Sequence, residues 1–392
     1  MSEIKISAIM PVFNGEKYIR DSLLSLLQQT YLLHEIIVID DNSSDQTVKI
    51  VKEIMKAFKK RIKIIKLSEN VGASKARNIG LNIAEGEWVL FLDADDIVLP
   101  NLLEEEICTL HTMQMEMGDS LVLVYPSYEQ IDENGNSLGV MRSKQVMPEE
   151  VFGYELIRND LISPSGVLVS KEKLKQIDGF NEELRYSEDW DLWLRLSEQN
   201  GFAYLDKPLV KIRRHENNAS SNINRMLNAE SFILNQYGID TIKEALYKRN
   251  LSFVQNTIDF ISMLIRLNYW EEVSKYIILI KDRQDCPNNI YFYQGIYYLQ
   301  KKEINVALRM FERILEYDSQ HGSALNNLGC IHLLNGSLDN ATFYLNKAIN
   351  FFPGYIDASH NLELCQIKKT IKYSDVRFTW RELRKTLLRY RQ

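Results

Sequence analysis

Three carboxylates, Asp93, Asp95 and Asp96, follow directly on the apolar run Trp88-Val-Leu-Phe-Leu92. A short apolar run closed by polar turn residues reads as a buried strand. Its end therefore presents the acids at one edge of a sheet. Two carboxylates two residues apart at a strand end suit a hard divalent cation that keeps positions open for phosphate oxygens. The same acids also fit a solvated loop capping a helix expected over residues 99–117. A second acidic group, Glu188, Asp189 and Asp191, opens a stretch with Trp190, Trp193, Leu194 and Leu196 on one helical face. The exposed amides and dipole of a helix start favour carboxylates there. One of them aimed at an acceptor hydroxyl would be a general base, whereas Asp191 reads as holding local structure.

These groups need a frame. Apolar runs over 4–10, 35–39 and 62–67, and the run before Asp93, alternate with helical patterns over 16–29, 46–58 and 73–84. Asp45 stands where it can cap the second of these helices. The alternation predicts an α/β fold with a mostly parallel sheet covered by helices. Ligands of such sheets bind beyond the carboxyl ends of the strands, and four polar clusters (11–15, 40–45, 70–78 and 93–96) all follow strands. No Gly-x-Gly-x-x-Gly follows the first strand and no Gly-x4-Gly-Lys-Ser/Thr is present, which argues against the usual nicotinamide and Walker-type sites. Acids in place of glycines suggest phosphates held through a metal. Further on, strands are expected over 121–125 and 164–170 and a helix over 148–161. Glu133-Asn-Gly-Asn136 reads as a hairpin with a type I′ turn.

At 392 residues, 45% hydrophobic and 26% charged, the chain has an ordinary globular composition with room for two or three domains. Net charge is −6, although residues 366–392 hold nine Lys/Arg against two Asp/Glu. The acidic remainder argues against a nucleic-acid partner. Cys108, Cys286, Cys330 and Cys365 form no short pair and read as reduced core residues. No run approaches the length of a spanning helix, and Met-Ser-Glu-Ile-Lys-Ile lacks the plan of a signal peptide. A cytoplasmic protein is expected.

Four ordered motifs carry a resemblance. Pro11-Val-Phe-Asn-Gly-Glu-Lys-Tyr-Ile19, Asp40-Asp-Asn-Ser-Ser-Asp45, Gly72-Ala-Ser-Lys-Ala-Arg-Asn78 and Asp93-Ala-Asp95 resemble the nucleotide-sugar half of a family 2 glycosyltransferase with the GT-A fold. The match spans residues 4 to about 215. The resemblance implies that Pro11, Val12 and Phe13 line the nucleoside, Asp41 bonds the base and Arg77 lies beside the nucleotide. Asp93 would face the ribose or the metal, and Asp95 would ligate Mn²⁺ or Mg²⁺. Asp189 would be the base, with Glu188 its alternate, and His215 would complete the metal shell. No Gln-x-x-Arg-Trp of processive synthases follows the acidic pair, so transfer of single sugars is implied. The expectation is inverting transfer from a nucleotide-sugar donor, a UDP-sugar above all, to a hydroxyl of a cell-surface glycan or glycolipid. The alternatives are a protein or peptide acceptor recruited by repeats, and an inactive adaptor.

Those repeats have a period of 34. Leu325, Leu328-Gly329, His332, Ala341, Leu345 and Pro353 follow the tetratricopeptide pattern. Gln294-Gly295, Tyr298, Ala307 and Phe311 stand one period earlier, and a degenerate copy precedes them. The expected domains are a catalytic domain over 1–220, a helical linker over 221–250, repeats over 251–371 and a basic amphipathic tail over 372–392. Stacked helix pairs build a concave face for a protein partner. The tail, read as a helix from Phe378, can lie on the inner face of an anionic membrane or pack on the repeats as a cap. Residues 216–224 are expected to form a polar linker or acceptor loop.

Overall fold

The computed structural model describes residues 4–58, 61–161, 163–215, 223–283, 286–366 and 371–383. The first apolar runs form β1 (Ile6–Val12), β2 (Glu35–Asp40), β3 (Ile62–Lys66) and β4 (Trp88–Phe91), joined by α1 (Ile19–Leu27), α2 (Thr47–Phe58) and α3 (Ala73–Ile83). Strands covered on both faces cannot alternate polar and apolar residues, so β1 and β2 are apolar almost throughout and buried along their whole length. The short β5 (Ile97–Val98) and α4 (Leu102–Met117) follow. Then come β6 (Leu121–Ile131), β7 (Ser137–Met141), α5 (Pro148–Ile157), β8 (Val167–Ser170) and α6 (Lys171–Gln176). α7 (Glu188–Ser197), β9 (Gly201–Arg213), α8 (Ile223–Leu234) and α9 (Ile239–Tyr247) complete a first compact unit, Met1–Arg249.

The nine strands form one sheet in the order β3-β2-β1-β4-β8-β6-β9-β5, with β7 on β6. β1 pairs in parallel with β2 and β4, and β2 with β3. β8 is antiparallel to both neighbours. Chain order reverses at β1, so the carboxyl ends of β1 and β4 form a switch point, the usual ligand crevice of open α/β sheets. One core lies on each face, with Leu23, Val51 and Leu102 on one side and Ala76, Phe91 and Trp193 on the other.

Three local expectations change. Pro11 and Val12 belong to β1 and are buried, rather than forming a loop. The 133–136 turn is not type I′, because only Gly135 has positive φ there. The Asp132 carboxylate instead accepts from the amides of Asn134 and Asn136 (2.9 and 2.8 Å), closing the turn by an acidic side chain. Residues 223–249 belong to the first unit and are no linker. Ile242, Ala245 and Leu246 of α9 are buried, and Gly153 of α5 lets the backbone of α9 approach closely. Residues 216–222 of the expected acceptor loop lie outside the described residues.

The second unit, Asn250–Gln392, is helical. Its helices are α10 (Phe253–Arg266), α11 (Trp270–Ile280), α12 (Pro287–Gln300), α13 (Ile304–Tyr317), α14 (Gly322–Leu334), α15 (Leu338–Phe351) and α16 (Ile356–Leu364). A Cβ on Gly295 would meet the Phe311 ring at 2.7 Å, and one on Gly329 would meet Leu345 at 2.5 Å. These glycines let the two helices of each hairpin close on one another. Residues 377–380 are not helical, so the described part of the tail is not the amphipathic helix expected. Buried asparagines of α14 and α16 bind its main chain instead. Residues 384–392 of the tail lie outside the described residues. Among the described residues, no helix is long and apolar enough to cross a membrane.

Gly153→Ala tests the place of α9. The added Cβ would stand 2.3 Å from the Ala245 carbonyl oxygen, a backbone atom that cannot swing away. Urea unfolding should show a loss of about 1–3 kcal/mol, and an unchanged midpoint would detach α9 from the first unit.

Candidate active site

The polar clusters after β1, β2 and β4 meet at the switch point, but their acids do different work. Asp45 accepts from the amides of Glu16 and Thr47, both at 3.0 Å. The Asn14 amide donates to Ser43 Oγ (2.9 Å), and the Gly15 amide to Thr47 Oγ1 (2.8 Å). These bonds zip the two loops together. Asp41 is buried, and its two oxygens accept from the amides of Val71 (2.7 Å) and Gly72 (2.9 Å). It thus sets the turn that starts α3. Of the three residues expected along the nucleoside, only Phe13 opens to solvent, at 54% exposure.

Arg77 is the centre of the site. It projects from α3 and is 3% exposed. One nitrogen donates to Asp93 Oδ1 at 2.6 Å and the other to Glu188 Oε1 at 2.9 Å, while the Phe180 ring covers the guanidinium. Burial pulls its pKa down, but the two carboxylates outweigh that and hold it above its ordinary value. Ser74 and Asn78, on the same helix, donate to the carbonyls of Leu184 and Phe180. The segment leading into α7 is therefore tied to α3 at three points. Ser187, in the left-handed region at φ 55°, turns the chain so that Glu188 and Asp189 open α7. A cleft of about 190 Å³ lies beside this junction, lined by Val71, Gly72, Ser74, Tyr186 and Glu188 among others.

Asp189 lies next to this ion-pair network. Its carboxylate accepts from the Trp190 amide (2.8 Å) and from Asn159 Nδ2 (3.3 Å). Burial, then the charge on Glu188, pushes its pKa up to about 7, against the Trp190 amide, Arg77 and Asn159. A carboxylate poised there is suited to proton abstraction near neutrality. Asp191 instead pairs with Arg195, whose other bonds go to the carbonyls of Ile177 and Gly179.

The remaining acids divide again. Asp95 Oδ2 lies 2.9 Å from His215 Nε2, bringing the two expected metal ligands together across the sheet edge. Tyr18 stacks on His215 at 5.5 Å, and the Arg213 guanidinium lies over the Tyr18 ring at 4.6 Å. Asp96 turns inward, away from the edge where the sequence placed it. It accepts from the Arg213 amide (2.8 Å) and from Ser165 Oγ (2.5 Å), and Ser165 Oγ accepts from the Asp93 amide. Burial, with Asp95 and Asp93 beside it, pushes the Asp96 carboxyl well above its usual range. Asp96 and Ser165 thus hold the Asp93–Asp95 turn against the end of β9. Asn159 and Ser165 gave no functional signal in the sequence, where they read as positions of an expected helix and strand, and Tyr18 stood in the first motif without a role of its own.

Among the described residues, no three His, Cys, Asp or Glu groups converge as a closed metal cage. The Asp95 oxygen and the His215 nitrogen do suit a divalent ion that takes its other ligands from diphosphate and water.

The mostly parallel sheet and its switch point have the plan of a GT-A fold. Residues 7–112 match the model of glycosyl transferase family 2. UDP-Glc:alpha-D-GlcNAc-diphosphoundecaprenol beta-1,3-glucosyltransferase WfgD of Escherichia coli is 30% identical over 64% of this chain and 93% of its own length. The chain belongs to glycosyl transferase family 2. An uncharacterised glycosyltransferase of Rickettsia conorii is 28% identical over 66% of this chain, which spans 42% of that protein. The structure of S. aureus TarS 1–349 in complex with UDP-GlcNAc is similar in fold, with a TM-score of 0.51 and 22% identity over 88% of this chain and 91% of that one.

Removing the central cation should be costly. Arg77→Met leaves Asp93 and Glu188 facing one another without a counter-charge, and chemical denaturation should show a loss of about 3–5 kcal/mol. Unchanged stability would mean that the two ion pairs contribute nothing net.

Proposed function

We propose that this protein transfers a single sugar from a nucleotide-sugar, a UDP-sugar, to an acceptor hydroxyl of a cell-surface glycan or glycolipid, with inversion at the anomeric carbon. The observation that carries this reading is the pairing of Arg77 with both Asp93 and Glu188. It joins the strand-end acids of the nucleotide half to the helix that bears a carboxylate with a pKa of about 7. WfgD, by its name, takes UDP-Glc and a diphosphoundecaprenol-linked acceptor, which supports the donor and acceptor classes proposed here.

In this mechanism Phe13 offers an open aromatic face to the base. Asp41 and Asp45 hold the loops that frame the nucleoside. Asp93 faces the ribose while Arg77 fixes its direction. Asp95 and His215 would hold Mn²⁺ or Mg²⁺, which when bound supplies positive charge to the departing diphosphate. Asp189 takes the proton of the acceptor hydroxyl as that oxygen attacks the anomeric carbon from the face opposite the leaving group. Asn159 and the Trp190 amide keep Asp189 pointed at that proton.

Release of free nucleotide from UDP-, GDP- and dTDP-sugars, with Mn²⁺ or with chelator, tests the donor side without a known acceptor. One UDP-sugar should turn over with the metal and not with chelator. Asp189→Asn should lower the rate about 10²–10⁴-fold. A base active only when ionised loses rate as pH falls, so the wild-type rate should be half-maximal near pH 7 and fall about tenfold per unit below it. A flat profile between about pH 6 and 8 would remove Asp189 from this hydrolysis.

A further inference from the structure

The second unit buries polar groups of which only part serve its own helices: Asn361 Nδ2 donates to Asn326 Oδ1 (2.9 Å) and lies 3.0 Å from Cys330 Sγ, both on α14. Ser323, Asn326 and Asn327 of α14 and Asn361 of α16 are all 0% exposed. Each buried carboxamide costs free energy unless its hydrogen bonds are made, and the bond between Asn361 and Asn326 leaves most of their donors and acceptors, and both groups of Asn327, to be met from outside the two helices. Their remaining partners include main-chain groups of residues 377–383, taken at every second position.

Asn361 Oδ1 accepts from the Arg377 amide at 2.8 Å and Asn361 Nδ2 donates to the Arg377 carbonyl at 2.9 Å. Asn326 Nδ2 donates to that same carbonyl at 2.9 Å. Asn327 treats Thr379 in the same way, accepting from its amide at 2.8 Å and donating to its carbonyl at 3.0 Å. Ser323 Oγ donates to the Arg381 carbonyl (3.0 Å) and accepts from the Leu383 amide (3.1 Å). A carboxamide offers an acceptor and a donor side by side, as an adjacent strand would. The row of side chains therefore does for this segment what a sheet edge does in strand addition. Such bonds go to groups that every extended polypeptide carries.

Side-chain contacts add selectivity. The Thr379 hydroxyl accepts from Asn326 Nδ2 (3.0 Å), donates to Asp357 Oδ2 (3.2 Å) and bonds the Tyr355 hydroxyl. Phe378 is 7% exposed, whereas Trp380 is 38% exposed and meets Trp270 edge-on at 6.1 Å. The site thus takes a hydroxyl residue flanked by two aromatics.

We propose that α14 and α16 carry a binding site for an extended polypeptide, read through its main chain at alternate residues, and that residues 377–383 are its resident and displaceable ligand. Its partner is a polypeptide segment with a Ser or Thr between two aromatic residues. The tail closes the site in cis until such a segment replaces it. This inference is independent of the catalytic reading, since no residue of the first unit enters it.

The test uses the full chain and a fluorescent peptide of residues 371–383, with binding followed by anisotropy. Phe378→Ala/Trp380→Ala weakens the resident segment and leaves the asparagines in place. This variant should bind the peptide at least about tenfold more tightly than wild type. The same peptide N-methylated at Thr379 cannot donate to Asn327 and should bind the variant at least about tenfold more weakly. Equal binding of the two peptides, or equal binding by variant and wild type, would overturn the proposal. Failure of the variant to bind the peptide at all would overturn it as well.

Discussion

A guanidinium buried between two carboxylates is costly to place, because all three charges give up water. Arg77 meets that cost with two charge-assisted bonds at 2.6 and 2.9 Å. The two acids come from distant parts of the chain, Asp93 from the end of β4 and Glu188 from the start of α7. The pairing therefore acts as a positional constraint. With Arg77 held in α3, neither the strand end nor the helix start can shift without leaving a charge unpaired. Ser74 and Asn78 reinforce the constraint from the same helix. The candidate base is the residue after Glu188, so its place follows from the ion pair next to it.

The acids of the first unit show how one residue type serves separate ends. Asp41, Asp45 and Asp96 spend their oxygens on backbone amides and hydroxyls, and they shape loops. Asp191 is neutralised by Arg195 and anchors α7 to the turn at 177–179. Asp95 meets an imidazole, and Asp189 lies where burial and a neighbouring negative charge make ionisation hard. Exposure and partners divide these carboxylates into loop staples and the groups proposed here for chemistry.

The second unit solves a related problem with neutral groups. Glycines at 295 and 329 let helices close on Phe311 and Leu345, which gives the hairpins their spacing. Buried carboxamides on α14 and α16 then face a segment without regular structure and satisfy its main chain. Binding of this kind depends on amide geometry and little on charge. The basic character of the tail therefore does not decide where residues 377–383 lie.

Much of this architecture was legible in the sequence. Apolar runs of strand length alternating with helical patterns state a covered parallel sheet, because both periods follow from local backbone geometry. The acids after the strands were equally plain, since they are a pattern along the chain. Tertiary structure decided which partner each acid meets. Asp93, Asp95 and Asp96 look alike in the sequence, yet one pairs with an arginine, one with a histidine, and one turns inward to Ser165 and the Arg213 amide. It also decided that Asn159 meets Asp189, that α9 belongs to the first unit, and that the tail follows a row of asparagines rather than its own helical pattern. In each case the partner lies far away in sequence. Local propensity is a matter of tenths of a kcal/mol per residue, whereas leaving a buried polar group or charge without its partner costs about 1–3 kcal/mol or more.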